Sequence, residues 1–291
     1  MPTGRRTFAI AAAAAAAVGS TSRSADASLT LNLDFSGFGT GVPTSSLAGG
    51  GSPQAVVQAA ADYWTTAFAA STRSITQTLQ VVWGPQTSTT AATGGTSWFV
   101  SPPDYPFTGG SLTFDNDGST SFFVDPTPYG NTEWSTPNTS SQNLGSGSVN
   151  VERRYTGASG TATAPRVDML SVAIHEIGHS LGLLSTYPRF ANARDADGNA
   201  ADLDTTGPRV AGSQIPVTGG HLDIATASMA PSVTQGERKL LTAADILLLA
   251  EVQAFDNVNL NPQPVPEPAG ALGAAALAGL LARRRRLPSG R

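Results

Sequence analysis

The chain has 291 residues, with 17 basic and 21 acidic side chains, a net charge of −4, three histidines and no cysteine. Without cysteine there can be no disulfide and no thiolate metal site, and an acidic chain with a single lysine, Lys239, is a poor electrostatic partner for nucleic acid. The stretch between the two unusual ends is more acidic still, and it is long enough for one hydrophobic core in one domain.

The N-terminus reads as an export signal: Arg5 and Arg6, an Ala-rich apolar run from Phe8 to Val18, and the cleavage-type triplet Ala25-Asp26-Ala27. This sets residues 1–27 apart. The context Arg5-Arg6-Thr7-Phe8 is similar to a twin-arginine signal, although a Sec signal tolerates the same pair.

Alternation over Leu29 to Phe35 predicts a strand. Ser52-Pro53 offers an N-cap followed by proline at the first helical position, and Val56, Ala60, Tyr63, Trp64 and Phe68 recur at helical spacing, so Pro53 to Ala70 is expected to be a helix. Strands are expected at Ile75 to Trp83, Ser111 to Phe114 and Ser121 to Val124. The Gly-, Ser- and Thr-rich stretches Gln86 to Thr96 and Asn131 to Asn150 read as long surface loops, and Asp115-Asn116-Asp117-Gly118 as a hairpin turn.

Asp168 is placed to cap a helix whose buried stripe is Leu170, Ile174, Ile177 and Leu181, with Gly182 ending it. The last helix starts at Thr242, with Asp245 as capping-box partner, and runs through Leu247, Leu248, Leu249 and Val252. These elements predict an α+β domain over residues 28–258. A mixed sheet with a helix comes first, a central helix follows, and the C-terminal part is mainly helical or irregular.

Asn259 to Pro268 reads as a Pro/Asn-rich linker. Val265-Pro266-Glu267-Pro268 then precedes the short apolar run Ala269 to Ala282 and the cluster Arg283 to Arg286. The apolar run is short for a span, and the arginines would hold its C-terminal end at the cytoplasmic face. In this order the parts resemble the PEP-CTERM sorting signal. The resemblance implies an exosortase-type processing enzyme as partner, transient membrane insertion, and a location in the periplasm, at the cell surface or in the extracellular matrix of a Gram-negative-type bacterium. An ordinary C-terminal anchor is the simpler alternative.

The chemistry lies in the central helix. His175-Glu176-Ile177-Gly178-His179 is an H-E-x-x-H pattern. Histidines at i and i+4 point the same way and can reach one ion, while Glu176 is turned about 100° from His175 and can sit beside the ion without ligating it. Catalytic zinc takes three protein ligands and keeps an open position. The remaining histidine is His221, eight residues before Met229. Metal His175, His179 and His221 with Glu176 as general base would hydrolyse peptide bonds.

His175, Glu176, His179 and Gly182 resemble the start of the metzincin pattern H-E-x-x-H-x-x-G-x-x-H. The third histidine of that pattern falls on Ser185, which is a departure. The resemblance implies that Leu183 to Gly220 is an insertion before His221, and that Ser228-Met229-Ala230-Pro231 is the methionine turn, with Met229 beneath the metal as a hydrophobic base. It implies a metzincin-like fold, zinc as cofactor and a protein or peptide as substrate.

Other readings stand beside this one. Glu237 or Glu251 could replace His221 as third ligand. The domain could be a zinc-containing binding module in a surface or matrix protein without turnover. Asp195-Ala196-Asp197-Gly198-Asn199 with Asp202 and Asp204 could wrap Ca²⁺, although the spacing is not that of a complete EF-hand.

Overall fold

The computed structural model describes residues 29–87, 89–195, 202–205 and 212–264. The expected export signal, the Pro-Glu-Pro tail from Val265 onward, and Ala196 to Asn199 of the acidic turn lie outside the described residues. In chain order the elements are β1 (Leu29–Asp34), β2 (Leu47–Ala48), α1 (Pro53–Phe68), β3 (Ile75–Gly84), β4 (Ala92–Trp98), β5 (Phe107–Asp115), β6 (Phe122–Phe123), β7 (Trp134–Asn143), β8 (Ser148–Ala158), β9 (Val167–Asp168), α2 (Met169–Ser180), α3 (Pro188–Arg194), β10 (Asp202–Asp204), β11 (Gln214–Thr218), β12 (His221–Leu222), β13 (Arg238–Lys239) and α4 (Ala243–Gln253).

The main sheet has the order β1-β3-β5-β4, with β1, β3 and β5 parallel and β4 antiparallel at the edge. A parallel pair needs a crossover, and α1 supplies it between β1 and β3. Ser52 caps α1 by accepting from the Ala55 N–H at 3.3 Å, and Pro53 opens the helix as expected. Along β3 every second residue from Gln77 to Trp83 is buried, so one face of the sheet is covered. Trp64 and Phe68 of α1 are fully buried, each worth about 1.5–3 kcal/mol in apolar transfer.

All twelve residues of α2 are buried, which makes it the central helix of the domain. It lies against α1, β4 and β5. Trp64 Nε1 donates to the Ile174 carbonyl at 2.9 Å, fixing α1 to the middle of α2. Asp168 caps α2 through the Ser171 N–H at 3.1 Å and hydroxyl at 2.7 Å, and Gly182 leaves the helix with φ +99°.

The fold is α+β, and several expected elements differ. Ala92 to Trp98 is a strand where a loop was expected from Gln86 to Thr96. It is an edge strand with little apolar alternation, and glycine is required where it crosses α2. A side chain at Gly94 would place Cβ 2.0 Å from the Glu176 carbonyl oxygen.

The Asn131 to Asn150 loop is instead the long hairpin β7–β8. Most of β7 is exposed on both faces, so it carries no hydrophobic period. Asp115 to Gly118 is a turn but closes no hairpin, because it joins β5 of the main sheet to β6 of a different sheet. The C-terminal part holds a second small sheet, β10-β11-β12, beside α4. Packing also continues into the expected linker: Asn259 N–H donates to the Ala67 carbonyl at 2.7 Å and Arg153 to the Pro262 carbonyl at 2.9 Å.

One buried ion cluster holds the start of α2. Arg238, with no exposed side chain, donates twice to Asp168 (2.9 and 3.0 Å) and once to Asp125 (2.7 Å), and its guanidinium stacks 4.1 Å over Trp134. Removing the cation leaves two buried carboxylates uncompensated. We therefore expect Arg238→Met to lower unfolding free energy by about 3–5 kcal/mol, read from the urea midpoint. Adding Asp125→Asn should recover part of that loss, and no recovery would show that the charges are not its source.

Candidate metal centre

His175 and His179 project from one face of α2, one turn apart. The chain leaves α2 through Leu181 and Gly182, and the Leu183 carbonyl turns back to accept from His179 Nδ1 at 2.6 Å. His175 Nδ1 donates to the Ser228 carbonyl at 2.9 Å. His221 opens β12, directly after the two-residue turn Gly219-Gly220 that joins it to β11, and it donates to the Thr218 backbone carbonyl.

A carbonyl oxygen can only accept, so each of these ring nitrogens carries the proton. The three Nε2 atoms are then bare lone pairs, and they face one another: His179 Nε2 is 3.0 Å from His175 Nε2 and 3.2 Å from His221 Nε2. Three acceptors at this separation repel unless a cation sits among them. The spacing is near the roughly 3.3 Å expected for two imidazoles bound at tetrahedral angles to one ion at zinc–nitrogen distances. His175, His179 and His221 are thus close enough to bind one metal ion. The carbonyl contacts also supply the orienting hydrogen bonds that metal-bound histidines ordinarily have.

Burial keeps these rings neutral. Desolvation, then the neighbouring His179, pushes His175 down to about 3, and desolvation takes His179 down to about 4 and lowers His221. Glu176 moves the other way. Burial pushes its carboxyl up to about 8, opposed by a hydrogen bond from the backbone of Gly94. Its neighbours in the cleft are the three histidines. A cation held by them would favour the carboxylate.

The position that the pattern assigns to a third histidine, Ser185, lies on the rim of the same cleft. The β11–β12 turn presses onto that stretch of chain. A Cβ on Gly220 would fall 2.7 Å from the Leu183 oxygen and 3.0 Å from Leu184 Cα. This close approach brings His221 over the ion position from a segment 36 residues beyond Ser185.

Met229 is fully buried and its sulfur lies against Gly178, where a Cβ would meet Sδ at 2.4 Å. Any side chain at the fourth residue of H-E-x-x-H would displace it. The turn carrying Met229 is anchored by Asp245, which accepts from the N–H groups of Ser228 (3.1 Å) and Met229 (2.8 Å) and caps α4 through Thr242. Lys239 closes the same loop by donating to the carbonyls of Ala225 (2.7 Å) and Ser232 (3.0 Å). The anchoring role of Asp245, the buried Lys239 and the fit of Gly178 were not evident from the sequence. Only Asp245 carried a signal, as the capping partner of Thr242.

The alternative ligands are elsewhere. Glu237 pairs with Arg154 at 2.9 Å, and Glu251 is not in the cluster. Among the described residues of the acidic turn, Asp195 is paired with Arg194 and Asp202 and Asp204 lie in β10. No second metal-competent group is found among the described residues. Asp115 is buried and accepts from its own turn, at Asp117, Ser119 and Thr120.

The cleft over the three histidines has a volume of about 810 Å³. One wall is β4 and the residues before it, Thr89 to Gly94; the opposite wall is Pro231 to Val233 with Gln235. Among the described residues, Glu176 is the only acidic one on its lining, and no lysine or arginine lines it.

Two predictions follow from the imidazoles. His221→Ala should weaken binding of Zn²⁺, used as a probe, by at least about 100-fold, whereas Glu251→Gln should not change it; competition with a chromogenic chelator distinguishes them. The second concerns the chelated, metal-free chain. The histidines have lowered pKa values, so their stabilisation is full above the unfolded value near 6.5 and is lost as pH falls below it. Glu176 has a raised pKa, so its contribution is full below 4.5 and is lost as pH rises through 8. The thermal midpoint should therefore peak at about pH 6.5, and Glu176→Gln should remove the loss on the alkaline side and steepen the rise between 4.5 and the peak.

No protein-family model matches this chain, and no curated protein or solved structure is significantly similar to it.

Proposed function

We propose that this protein is an exported zinc endopeptidase of metzincin-like construction. The observation that carries the reading is the convergence of three Nε2 lone pairs beside a buried glutamate, at the floor of a cleft whose wall is the free edge of a sheet. A structural zinc site is closed by four protein ligands. This one offers three among the described residues, with Glu176 on the lining of the same cleft.

The donor set suits zinc, being three neutral imidazoles without thiolate. Bound there, zinc would supply Lewis acidity toward a scissile carbonyl and an attacking water. The rest of the work falls to the chain. Glu176 takes the proton of the attacking water and hands it to the departing amine. Among the described residues β4 pairs on one side only, with β5. Its other edge is available for a polypeptide to add as a further strand, which would hold the scissile bond over the histidines.

The lining selects as well. Apart from Glu176 and the histidines it is Thr, Ser, Ala, Gly, Val, Leu, Pro and Gln, so a substrate charge buried beside the reacting bond would find no partner. Neutral stretches with small or aliphatic side chains fit best. The N-terminal run read as an export signal and the C-terminal run read as a sorting tail support a location outside the cytoplasm, with the tail as a transient membrane hold.

The direct test uses the zinc-loaded chain and an unfolded, neutral protein substrate. Cleavage should be abolished by chelator and restored by zinc. Glu176→Ala should retain the metal and lose at least about 1,000-fold in kcat, the scale of a removed general base with its electrostatic role. Bound zinc with no cleavage by the unaltered chain would favour the binding-module reading instead.

A further inference from the structure

Phe99 and Val100 are the exposed large hydrophobic residues of the described chain, 65% and 85% accessible. They are adjacent, and they sit where β4 ends and turns toward β5. That turn is braced. Phe99 N–H donates to the Pro106 carbonyl (2.9 Å), Ser101 N–H to the Phe99 carbonyl (3.0 Å), and the N–H groups of Asp104 and Tyr105 to the Ser101 carbonyl (3.1 and 3.0 Å). Asp104 is held between Arg73 (3.2 Å) and Arg189 (3.4 Å). Just before the pair, Trp98 packs edge-on against Tyr187, with ring centroids 5.3 Å apart. The pair is therefore shown to solvent on a preorganised support, which lowers the cost of ordering it on binding.

The free edge of β4 joins this pair to the cleft. Gly94 lies on the Glu176 backbone beside the three histidines, and Phe99 directly follows the last residue of that strand, past a shift of register at Ser97/Trp98, at most about 17 Å away at the rise of an extended chain. Among the described residues, this edge of β4 has no partner strand. We propose that Phe99 and Val100 form a distal contact for an extended polypeptide lying along β4, and that they take an apolar side chain about five residues from the one opposite Gly94. The occupant is the substrate chain itself, because the exposed pair continues the edge that already walls the cleft. This rests on the reading of the cleft as a polypeptide site. It adds that recognition extends well past the scissile bond and favours a neutral segment with an apolar residue at that distance.

The experiment uses the full chain loaded with zinc and the double variant Phe99→Ser/Val100→Ser. Two neutral peptides share one cleavable core. The short one ends before it can reach Phe99; the long one continues for six residues on each side and carries leucine at the fifth. The long-to-short ratio of kcat/KM should fall about tenfold in the variant, the scale of one lost aromatic burial, and replacing leucine by serine in the long peptide should reproduce the fall with the unaltered chain. An unchanged ratio overturns the proposal.

Fluorescence anisotropy of the same labelled peptides separates this failure from that of the protease reading. If no peptide is cut, the variant should still weaken binding of the long peptide relative to the short. Association with phosphatidylcholine vesicles that is lost in the variant, with peptide binding unaltered, would assign the pair to a lipid surface and overturn the proposal.

Discussion

Each of the three imidazoles donates to a backbone carbonyl, through Nδ1 in His175 and His179, and much of the domain is arranged around that constraint. The carbonyls belong to Leu183, Ser228 and Thr218, in three segments that are distant in sequence. Each segment must be fixed independently for His175 Nε2 and His221 Nε2 to meet His179 Nε2 at 3.0 and 3.2 Å. Leu183 is fixed by the exit of α2, where Leu183 N–H bonds the Gly178 carbonyl at 3.1 Å. Thr218 is fixed by the two-residue β11–β12 turn and its close seat on Leu183 and Leu184. Ser228 is fixed by Asp245. The direction of the three imidazoles thus depends on main-chain geometry, which packing holds more tightly than it holds a free rotamer.

Buried charge does the long-range joining. Arg238 and Asp168 tie β13 to the first turn of α2, and Asp245 ties the methionine turn to the first turn of α4. Each carboxylate combines a helix cap with a second bond to a remote element. A cap alone contributes about 1 kcal/mol, whereas an uncompensated buried charge costs several. The cost of breaking these joints therefore comes mainly from desolvation, and this makes the arrangement discriminating. A shifted register at β13 or at residues 228–229 would strand a charge.

The sequence made some of this legible and hid the rest for identifiable reasons. The caps Ser52, Asp168 and Thr242–Asp245 lie where their local signals put them, because a cap is satisfied within four residues. The pair His175 and His179 was legible for the same reason, since helical periodicity alone brings them together. His221 could be named by elimination, but its route to the site depends on the Gly219-Gly220 turn and the contact of Gly220 with the end of α2. The strands β4 and β7 were read as loops because edge strands with exposed faces need no apolar alternation. Arg238 left no trace, because a lone arginine gives no local sign that two aspartates 70 and 113 residues away will surround it.

Gly94 shows why the misread strand matters most. A residue with a side chain there would push β4 off the Glu176 backbone, and the N–H that hydrogen-bonds the Glu176 carboxyl would move with it. The glycine that disguised the strand as a loop is therefore the one that lets an edge strand reach the metal centre. Small residues at Thr93, Gly94 and Gly95 leave the outer edge of β4 unobstructed over the cleft, and the first large side chains beyond Trp98 are the exposed pair at its far end. Natural sheets usually blunt an open edge with charge, proline or a cover. β4 carries neither charge nor proline along Ala92 to Trp98, and no described strand pairs with its outer edge. An open edge beside three convergent imidazoles is the feature on which the proposed polypeptide site rests.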